Sequence, residues 1–331
     1  MRHYHIPIFI PDYGCPFRCI FCNQQSITST HSIPSTAEIQ ALVEDWLTTI
    51  SREDSVVEVA FFGGNFTGIP VQSQLLYLEA VAPFIKSGRL DGIRISTRPD
   101  AISEEVLSRL KSFGVKSIEL GAQSLNDGVL TAVQRGHSVA DIVNASILIR
   151  RHGFSLGLQM MIGLPKDNAT TVLQTAQQII DLGAHETRIY PLLVIKETHL
   201  ETLYNEKKYI PLSLKEAVEL TVPIYELFLK NDVKILKVGL HPTDGFNSGE
   251  DLIAGPYHPN FRELVLSKIW EYRFNSIHPH SSITIHVNPV DINHAVGFGS
   301  VNKQILLKKF TQVEFVLSDS ISKDHFHVDY L

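Results

Sequence analysis

The chain concentrates all three of its cysteines in one short segment, as Cys15, Cys19 and Cys22. An odd number of clustered thiols does not suit a disulfide framework, and in a reducing compartment clustered thiols more often hold metal. A structural zinc ion takes four protein ligands, so these cysteines would need a distant histidine, of which the chain has 15. On a 4Fe-4S cluster, three thiolates would leave one iron open to a ligand. The spacing therefore predicts a metal centre, with an open cluster and a zinc loop as the alternatives.

The elements that must position these cysteines alternate between strand-like and helix-like segments. Strands are predicted at 6–10, 56–62, 92–96, 115–120, 154–162 and 187–193. Helix signals follow each of them, such as the capping box that begins at Ser35. Such alternation predicts a right-handed parallel series of strands. We therefore expect an α/β fold, a partial (β/α)6 parallel barrel with a small C-terminal α/β domain.

Distinctive residues occupy the loops that follow these strands. The cysteine segment follows the first strand, and the later loops read GGNFTG at 63–68, STRPD at 96–100, GAQS at 121–124 and GLP at 163–165. In parallel barrels, the working residues lie in loops at the carboxyl ends of the strands. Five consecutive loops of this kind favour an enzyme site over a scaffold.

The composition excludes several classes of protein. With 44% apolar and 19% charged residues, the chain is expected to form a sizeable core rather than to be disordered. Its formal net charge of -6 gives no global basic field, so any contact with RNA would have to be a local patch. The apolar run near the N-terminus is interrupted by Pro7 and Pro11 and is too short for a signal peptide or a membrane span. We therefore expect a cytoplasmic protein with no membrane contact.

The cysteine segment resembles that of the radical S-adenosylmethionine (radical SAM) enzymes, whose pattern C-x3-C-x2-C is matched at Cys15, Cys19 and Cys22. Phe21 stands where these enzymes usually place an aromatic residue, directly before the third cysteine. The resemblance implies a 4Fe-4S cluster on the three cysteines, with SAM bound to the open iron through its amino and carboxylate groups. It also implies reductive cleavage of SAM to methionine and a 5'-deoxyadenosyl radical. A reductant protein of the flavodoxin or ferredoxin type would then be a partner.

The same resemblance assigns further residues to SAM. The segment FFGGNF looks like the family's glycine motif, in which Gly63, Gly64 and Asn65 would lie near the methionine amino group. Gln123 is followed twelve residues later by Arg135, a spacing at which the oxygen-independent coproporphyrinogen III oxidase branch contacts the SAM ribose and carboxylate. A guanidinium suits a carboxylate because it can donate two parallel hydrogen bonds. The alternative is that Gln123 is an ordinary strand end and Arg135 lies on a helix surface.

Two positions depart from the coproporphyrinogen oxidase pattern. Where that branch has an acid after the third strand, this chain has Ser96 and Thr97. Where it has a ribose-binding aspartate on the fifth strand, this chain has Gln159. Hydroxyl and amide groups can still form hydrogen bonds with SAM, but without charge. These departures weaken an assignment to that branch.

The motifs GGNFTG, GIRISTRPD, ELGAQS and QRGHS together resemble another branch, the catalytic-subunit family of elongator, whose members modify wobble uridine in transfer RNA. The resemblance covers roughly residues 5–195. Elongator subunits carry an acetyltransferase domain after the radical SAM core, and we do not expect one in this chain. The elongator reaction therefore cannot simply be carried over.

The C-terminal third is expected to form a separate unit. We place the boundary between a radical SAM core, 1–235, and an α/β extension, 236–331. The extension begins with a segment rich in glycine, proline and histidine. If this segment covered the barrel mouth, His241, Tyr257 and His258 would meet substrate. The alternative is a loop that packs under the last helix, with histidines that serve no ligand.

Residues 282–329 resemble the core of a KH RNA-binding module. A strand, a helix, the loop GFGS, a second helix and a strand follow one another, as around the GxxG loop with which KH modules clamp a nucleotide backbone. The last glycine of that loop is here Ser300, and Lys303, Lys308 and Lys309 provide a local basic face. The alternative is a plain α/β appendage that caps the barrel.

The prediction that unites these features is a radical SAM enzyme that abstracts a hydrogen atom from an RNA base, with transfer RNA as the favoured substrate. A porphyrin-like or other small molecule is the alternative substrate. A third hypothesis is a non-catalytic iron-sulfur or zinc protein that senses redox state. The filled series of SAM-like loops argues against this last hypothesis.

Overall fold

Seven parallel strands form one curved sheet in the computed structural model, which describes residues 2–10, 14–23, 34–278 and 281–331. The strands as far as residue 238 are β1 Arg2–Ile10, β2 Ser55–Gly63, β3 Gly92–Thr97, β4 Val115–Gln123, β5 Ser155–Ile162, β6 Glu186–Pro191, β7 Val194–Ile195 and β8 Lys234–Val238. All but β7 join the sheet, in the order β1-β2-β3-β4-β5-β6-β8, with every neighbouring pair parallel. Because β1 and β8 are its two edges, the barrel is open along one side. The predicted partial parallel barrel is confirmed.

The strand β8 is a difference from the six-stranded expectation. Its sequence, KILKV, carries an exposed lysine at Lys234 and a half-buried one at Lys237. Buried parallel strands read as continuous apolar runs, but an edge strand meets a partner on one side only and tolerates charge. Because of these two lysines, the sequence pattern did not predict this strand. The expected boundary after residue 235 falls inside β8, and the division into a core and an extension stays a prediction.

Helices pack on the outer face of this sheet. They are α1 Thr36–Thr49, α2 Val71–Lys86, α3 Glu104–Ser112, α4 Asp127–Ala132, α5 Val139–Arg151, α6 Ala169–Asp181, α7 His199–Asn205 and α8 Leu214–Lys230. Ser35, Ser138, Asn168 and Ser213 each form a capping box, which satisfies amide groups at a helix start. No helix among the described residues is long and apolar enough to cross a membrane.

The concave face of the sheet holds a buried network of charged residues. Arg94 on β3 lies at its centre, with Nη1 3.0 Å from Glu119 Oε1 and Nη2 3.1 Å from Glu186 Oε1. Arg94 Nη2 also lies 3.5 Å from Glu58 Oε2, and Arg188 Nη2 donates to Glu119 Oε1 at 3.2 Å. Burial acts to raise the pKa of Glu119, but Arg188 and Arg94 together outweigh it and lower that pKa. Mutually paired charges therefore join β2, β3, β4 and β6.

One helix joins the barrel to the C-terminal region. Past β8, α9 Asp244–Ser248 leads to β9 Leu252–Ala254, which pairs antiparallel with β7. Helix α10, Phe261–Arg273, follows. Phe261 belongs to the apolar core of the barrel, whereas Trp270, further along the same helix, belongs to a second core. Because α10 contributes to both cores, it fixes the C-terminal sheet to the barrel.

The second core lies under a three-stranded sheet with the order β11-β10-β12. Its elements are β10 Ser282–Val287, α11 Ile292–Val296, α12 Val301–Leu307, β11 Gln312–Leu317 and β12 Phe326–Tyr330. Strand β10 pairs parallel with β11 and antiparallel with β12. The order of elements matches the expectation for 282–329, while an RNA-binding role for them stays a prediction.

Replacement of Arg94 tests the buried network. Arg94→Met removes the arginine partner of Glu186 and one of the two arginine partners of Glu119, so we expect the free energy of unfolding to fall by about 3 to 5 kcal/mol. Urea unfolding at pH 7 measures it. The control is Arg89→Met, which breaks an exposed pair with Glu44 and should change stability little. An Arg94→Met protein that unfolds at the wild-type urea concentration would contradict a structural role for the network.

Candidate active site

The cysteine segment lies at the carboxyl edge of the sheet, directly after β1. Cys15 is exposed, Cys19 is buried and Cys22 is half-buried. Two backbone hydrogen bonds hold the segment: Ile20 N donates to Val133 O at 3.2 Å, and Leu200 N donates to Ile20 O at 2.8 Å. No three His, Cys, Asp or Glu side chains of the described ranges are arranged to hold a single metal ion. Cluster ligation by the three cysteines stays a prediction.

Phe21 belongs to a small apolar cluster behind the cysteine segment. Ile20, Val133, Leu164 and Val194 form part of this cluster, and Phe21 packs against it. These residues come from the end of α4, from β7 and from the loop after β5, so elements distant in sequence support the segment. The placement of Phe21 gives it a packing role beside Cys22, and a contact with cofactor stays a prediction.

Arg135 links the cysteine segment to β4. Its Nη1 donates to Cys19 Sγ at 3.3 Å, and its Nη2 donates to Gly121 O at 2.7 Å. The alternative of a surface arginine is wrong, because Arg135 is only 8% exposed. A Cβ on Gly121 would lie 2.7 Å from Arg135 Nη2 and 2.9 Å from Gln123 Nε2, which explains the glycine. Gln123 and Arg135 therefore both lie beside Gly121, and their expected contact with SAM stays a prediction.

Asn65 holds three loops together. Its Nδ2 donates to Gly14 O at 2.8 Å, next to Cys15. Its Oδ1 accepts from Thr97 Oγ1 at 2.6 Å and from Arg98 N at 3.2 Å. The side-chain amide of Asn65 thus joins the loops after β1, β2 and β3. Asn65 and Thr97 are occupied with each other and with the cysteine segment, so their expected contact with SAM stays a prediction.

The glycine pair after β2 brings the first two loops close. Gly64 N donates to Ile10 O at 3.3 Å. Gly63 has a φ of +123°, and a Cβ built on it would lie 2.1 Å from Ile10 O. Any larger residue would push β1 and β2 apart at this point. The glycines are therefore required by the approach of the two strand ends, whether or not a ligand contacts them.

At the carboxyl ends of the strands, several buried polar atoms have no hydrogen-bond partner among the described residues. Ser96 Oγ, Gln123 Oε1 and Arg135 Nε are buried and form no hydrogen bond with any residue that the structure describes. Gln123 also has a φ of +67°, an unusual value for a residue with a side chain. Such groups cost free energy unless a ligand or water satisfies them. They fit a bound group that has both donors and acceptors.

Gln159 belongs to the charged network rather than to these unpaired atoms. Its Nε2 donates to Glu119 Oε2 at 3.3 Å, and in register Gln159 lies between Gly121 and Arg188. The half-buried amide is therefore close to the predicted site but has a partner of its own. Its expected contact with SAM stays a prediction.

Arg98 and His137 belong to the same region, although we did not single them out from the sequence. Arg98 is fully buried; its Nη2 donates to Arg135 O at 2.8 Å, and its guanidinium lies 5.3 Å from the Phe17 ring centroid. Burial first, and then Arg135 and Arg98, lower the pKa of His137 to about 4, so its ring is neutral at pH 7. Both residues belong to motifs named in the sequence analysis: Arg98 lies in STRPD and His137 lies in QRGHS.

A solved structure shows where this fold has been seen before. The archaeal Methanocaldococcus infernus Elp3 with an N-terminal deletion superposes with a TM-score of 0.65 over 82% of this chain and 63% of that chain, at 19% identity. At this identity the similarity concerns the fold. It supports the half-barrel with a C-terminal α/β region.

Curated relatives match the core in sequence. The tRNA uridine(34) acetyltransferase of Dehalococcoides mccartyi is 26% identical over 230 residues, which are 60% of this chain and 50% of that protein. Elongator complex protein 3 of Saccharomyces cerevisiae is 27% identical over 229 residues, 66% of this chain and 38% of that protein. The chain therefore spans half or less of the length of these two relatives. The expected resemblance to the elongator branch is confirmed.

Two family models match consecutive parts of the chain. The C-terminal domain model of radical SAM proteins matches residues 184–271, which include β8 and most of α10. The radical SAM superfamily model matches residues 9–179, which include the cysteines and every loop from β1 to β5. The superfamily model covers just over half of the chain. This chain is therefore an enzyme of the radical SAM superfamily, whose cofactors are a 4Fe-4S cluster and SAM.

Proposed function

We propose that this protein is a radical SAM enzyme that modifies RNA, with transfer RNA as the first substrate to test. One observation supports the proposed cofactor site: Arg135 donates hydrogen bonds to Cys19 Sγ and Gly121 O. The unpaired Ser96 Oγ and Gln123 Oε1 lie beside these contacts. The RNA part rests on the relatives, one of which is named for transfer RNA uridine 34. Acetyl transfer, also named there, is not carried over, because the match covers half of that protein.

The proposed roles follow the placement of each side chain. Cys15, Cys19 and Cys22 would hold the cluster, and Arg135 would hold the SAM carboxylate through paired hydrogen bonds. Ser96 and Gln123 would supply uncharged hydrogen bonds to SAM through atoms that lack other partners among the described residues. When bound, the cluster and SAM supply one-electron bond cleavage and hydrogen-atom abstraction, a reaction for which side chains alone have no chemistry.

The chain's own contribution is positioning and exclusion of water. Asn65 fixes the segment before Cys15, and the α7 start fixes Ile20 by a backbone hydrogen bond. Asn23 Nδ2 donates to Lys196 O at 3.1 Å, which ties the end of the cysteine segment to the residues after β7. Cys15 remains exposed. A reductant protein of the flavodoxin or ferredoxin type would approach from that side.

The glycine turn between α11 and α12 offers a surface for RNA. Gly297, Gly299 and Ser300 have positive φ values, and a Cβ on Gly299 would meet no atom within 4 Å. Phe298 and Val301 beside it are exposed. An open backbone turn beside exposed apolar groups is suited to the phosphates and bases of a single strand.

Ser96→Ala tests the proposed SAM contact. We expect SAM to bind the reconstituted variant about 2- to 10-fold more weakly, the value of one neutral hydrogen bond. The stability of the protein without SAM should not fall, because the hydroxyl has no partner among the described residues. Calorimetric titration and urea unfolding measure the two quantities. The control is Ser117→Ala, a buried serine nearer the amino end of the neighbouring strand; equal SAM affinity in both variants would contradict the contact.

Cys15→Ala tests the cluster. After anaerobic reconstitution and reduction with dithionite, we expect the variant to form no 5'-deoxyadenosine from SAM, whereas the wild type forms it. Chromatography of the nucleoside products measures this reaction. Ser112→Ala, at an exposed position on α3, should behave as the wild type does. SAM cleavage by Cys15→Ala at the wild-type rate would refute the cluster assignment.

Replacement of Lys303 and Lys308 by glutamine tests the RNA surface. We expect weaker binding of transfer RNA and a smaller dependence on salt, by roughly 0.7 to 0.9 in the log–log slope for each phosphate that is no longer neutralised. Filter binding at several salt concentrations gives both quantities. The matched control replaces Lys86 and Lys230, which are exposed at the ends of α2 and α8. An equal effect of the two double variants would place RNA elsewhere.

A further inference from the structure

Four basic side chains lie together at the open edge of the barrel, outside the proposed SAM site. Arg188 on β6 and Lys237 on β8 are partners in register, so both side chains project from the concave face of the sheet. Lys237 Nζ lies 3.5 Å from His241 Nδ1. Arg262 lies in the first turn of α10, next to Phe261, which packs on Gly239 directly after β8. We name Arg188, Lys237, His241 and Arg262 the edge cluster.

Only part of the positive charge of the edge cluster is paired with a carboxylate of the described residues. Arg188 is paired with Glu119. Within the described residues, neither Lys237 nor Arg262 forms an ion pair with a carboxylate; Arg262 Nη2 donates to Tyr225 OH at 3.4 Å. Burial first, and then Arg188 and Arg262, lower the pKa of Lys237. A half-buried ammonium group among cations gains stability when an anion binds beside it.

His241 also favours the binding of an anion at the edge cluster. Since an ammonium group can only donate, His241 Nδ1 accepts from Lys237, and the ring proton is then on Nε2. Burial first, and then Lys237 and Arg188, lower the pKa of His241, so the ring is neutral at pH 7. His241 therefore presents an N–H donor next to the ammonium of Lys237. Two such donors suit the oxygens of an oxyanion.

The edge cluster lies along a path from the barrel to the glycine turn. Phe261, the first residue of α10, packs on Gly239, where an added Cβ would lie 2.8 Å from Phe261 Cβ. Asn260 forms no side-chain capping bond at the start of α10, whose positive helix end adds to the positive charge of Arg262. Three residues before Phe261, His258 packs edge-on against Phe298 of the GFGS turn, with ring centroids 5.3 Å apart. The cluster and the turn thus flank one short segment.

We propose that Lys237, His241 and Arg262 bind an oxyanion carried by the substrate, a phosphate group of the RNA chain. The need for an oxyanion follows from the edge cluster itself, while its identification with an RNA phosphate rests on the proposed function. A strand held by the glycine turn would pass the edge cluster on its way to the open side of the barrel. The edge cluster would then fix which nucleotide reaches the proposed SAM site.

Lys237→Gln tests the site through binding of unfractionated transfer RNA to the reconstituted full chain. We expect weaker binding and a log–log salt slope that is smaller by roughly 0.7 to 0.9, the value for one phosphate that is no longer neutralised. The control is Lys234→Gln, an exposed lysine three residues earlier on the same strand, which should bind as the wild type does. Circular dichroism melting checks that both variants fold. Wild-type affinity and slope in Lys237→Gln would overturn the proposal.

A second measurement separates this site from the RNA function. Inorganic phosphate is added to the wild type with a trace of an amine-acylating reagent, and mass spectrometry compares labelling of Lys237 with that of Lys234. Protection of Lys237 alone supports the oxyanion site, even if transfer RNA does not bind and the RNA function fails. If transfer RNA binds the wild type and Lys237→Gln alike and phosphate protects neither lysine, the site is refuted and the RNA function stands.

Discussion

Polar groups on the concave face of the sheet are buried, and each of them needs a partner. On the strand segments nearer the amino ends the side chains supply partners to one another, as Arg94 does for Glu119 and Glu186. Towards the carboxyl ends the pairing is incomplete, and Ser96 Oγ and Gln123 Oε1 remain unsatisfied by any described residue. Because burial of unpaired polar atoms destabilises a fold, the rest of the structure must offset the free-energy cost of these atoms until a ligand binds them. The charged network joins the strands whose carboxyl ends carry the proposed site.

The site is assembled from short contacts between loops rather than from one element. Asn65 joins the ends of three strands, and Arg135 joins the cysteine segment to β4. These contacts all lie at one edge because parallel strands end together there. Residues after β7 and at the start of α7 close over the cysteine segment. The same geometry leaves the side between β1 and β8 open, which is where the edge cluster would receive substrate.

Sequence patterns predicted the half-barrel because apolar runs carry that signal locally, and the resemblance to radical SAM enzymes singled out the candidate site residues. The family spacing singled out Gln123 and Arg135, and both side chains do lie beside Gly121. The strand β8 was missed, since its lysines break the apolar pattern that a buried strand shows. Lys237 and Arg262 could not be brought together from sequence, because β8 and α10 meet through the packing of Phe261 on Gly239. Contacts of this kind depend on tertiary structure alone.

The central claim is that the three cysteines hold a cluster with an iron available to SAM, beside Ser96, Gln123 and Arg135. The most direct measurement is the electron paramagnetic resonance spectrum of the anaerobically reconstituted, dithionite-reduced protein, recorded before and after addition of SAM. We expect the signal of a reduced 4Fe-4S cluster, with g values that change when SAM binds at the open iron. A reduced cluster whose spectrum is identical with and without SAM, or a protein that takes up zinc in place of iron, would contradict the claim.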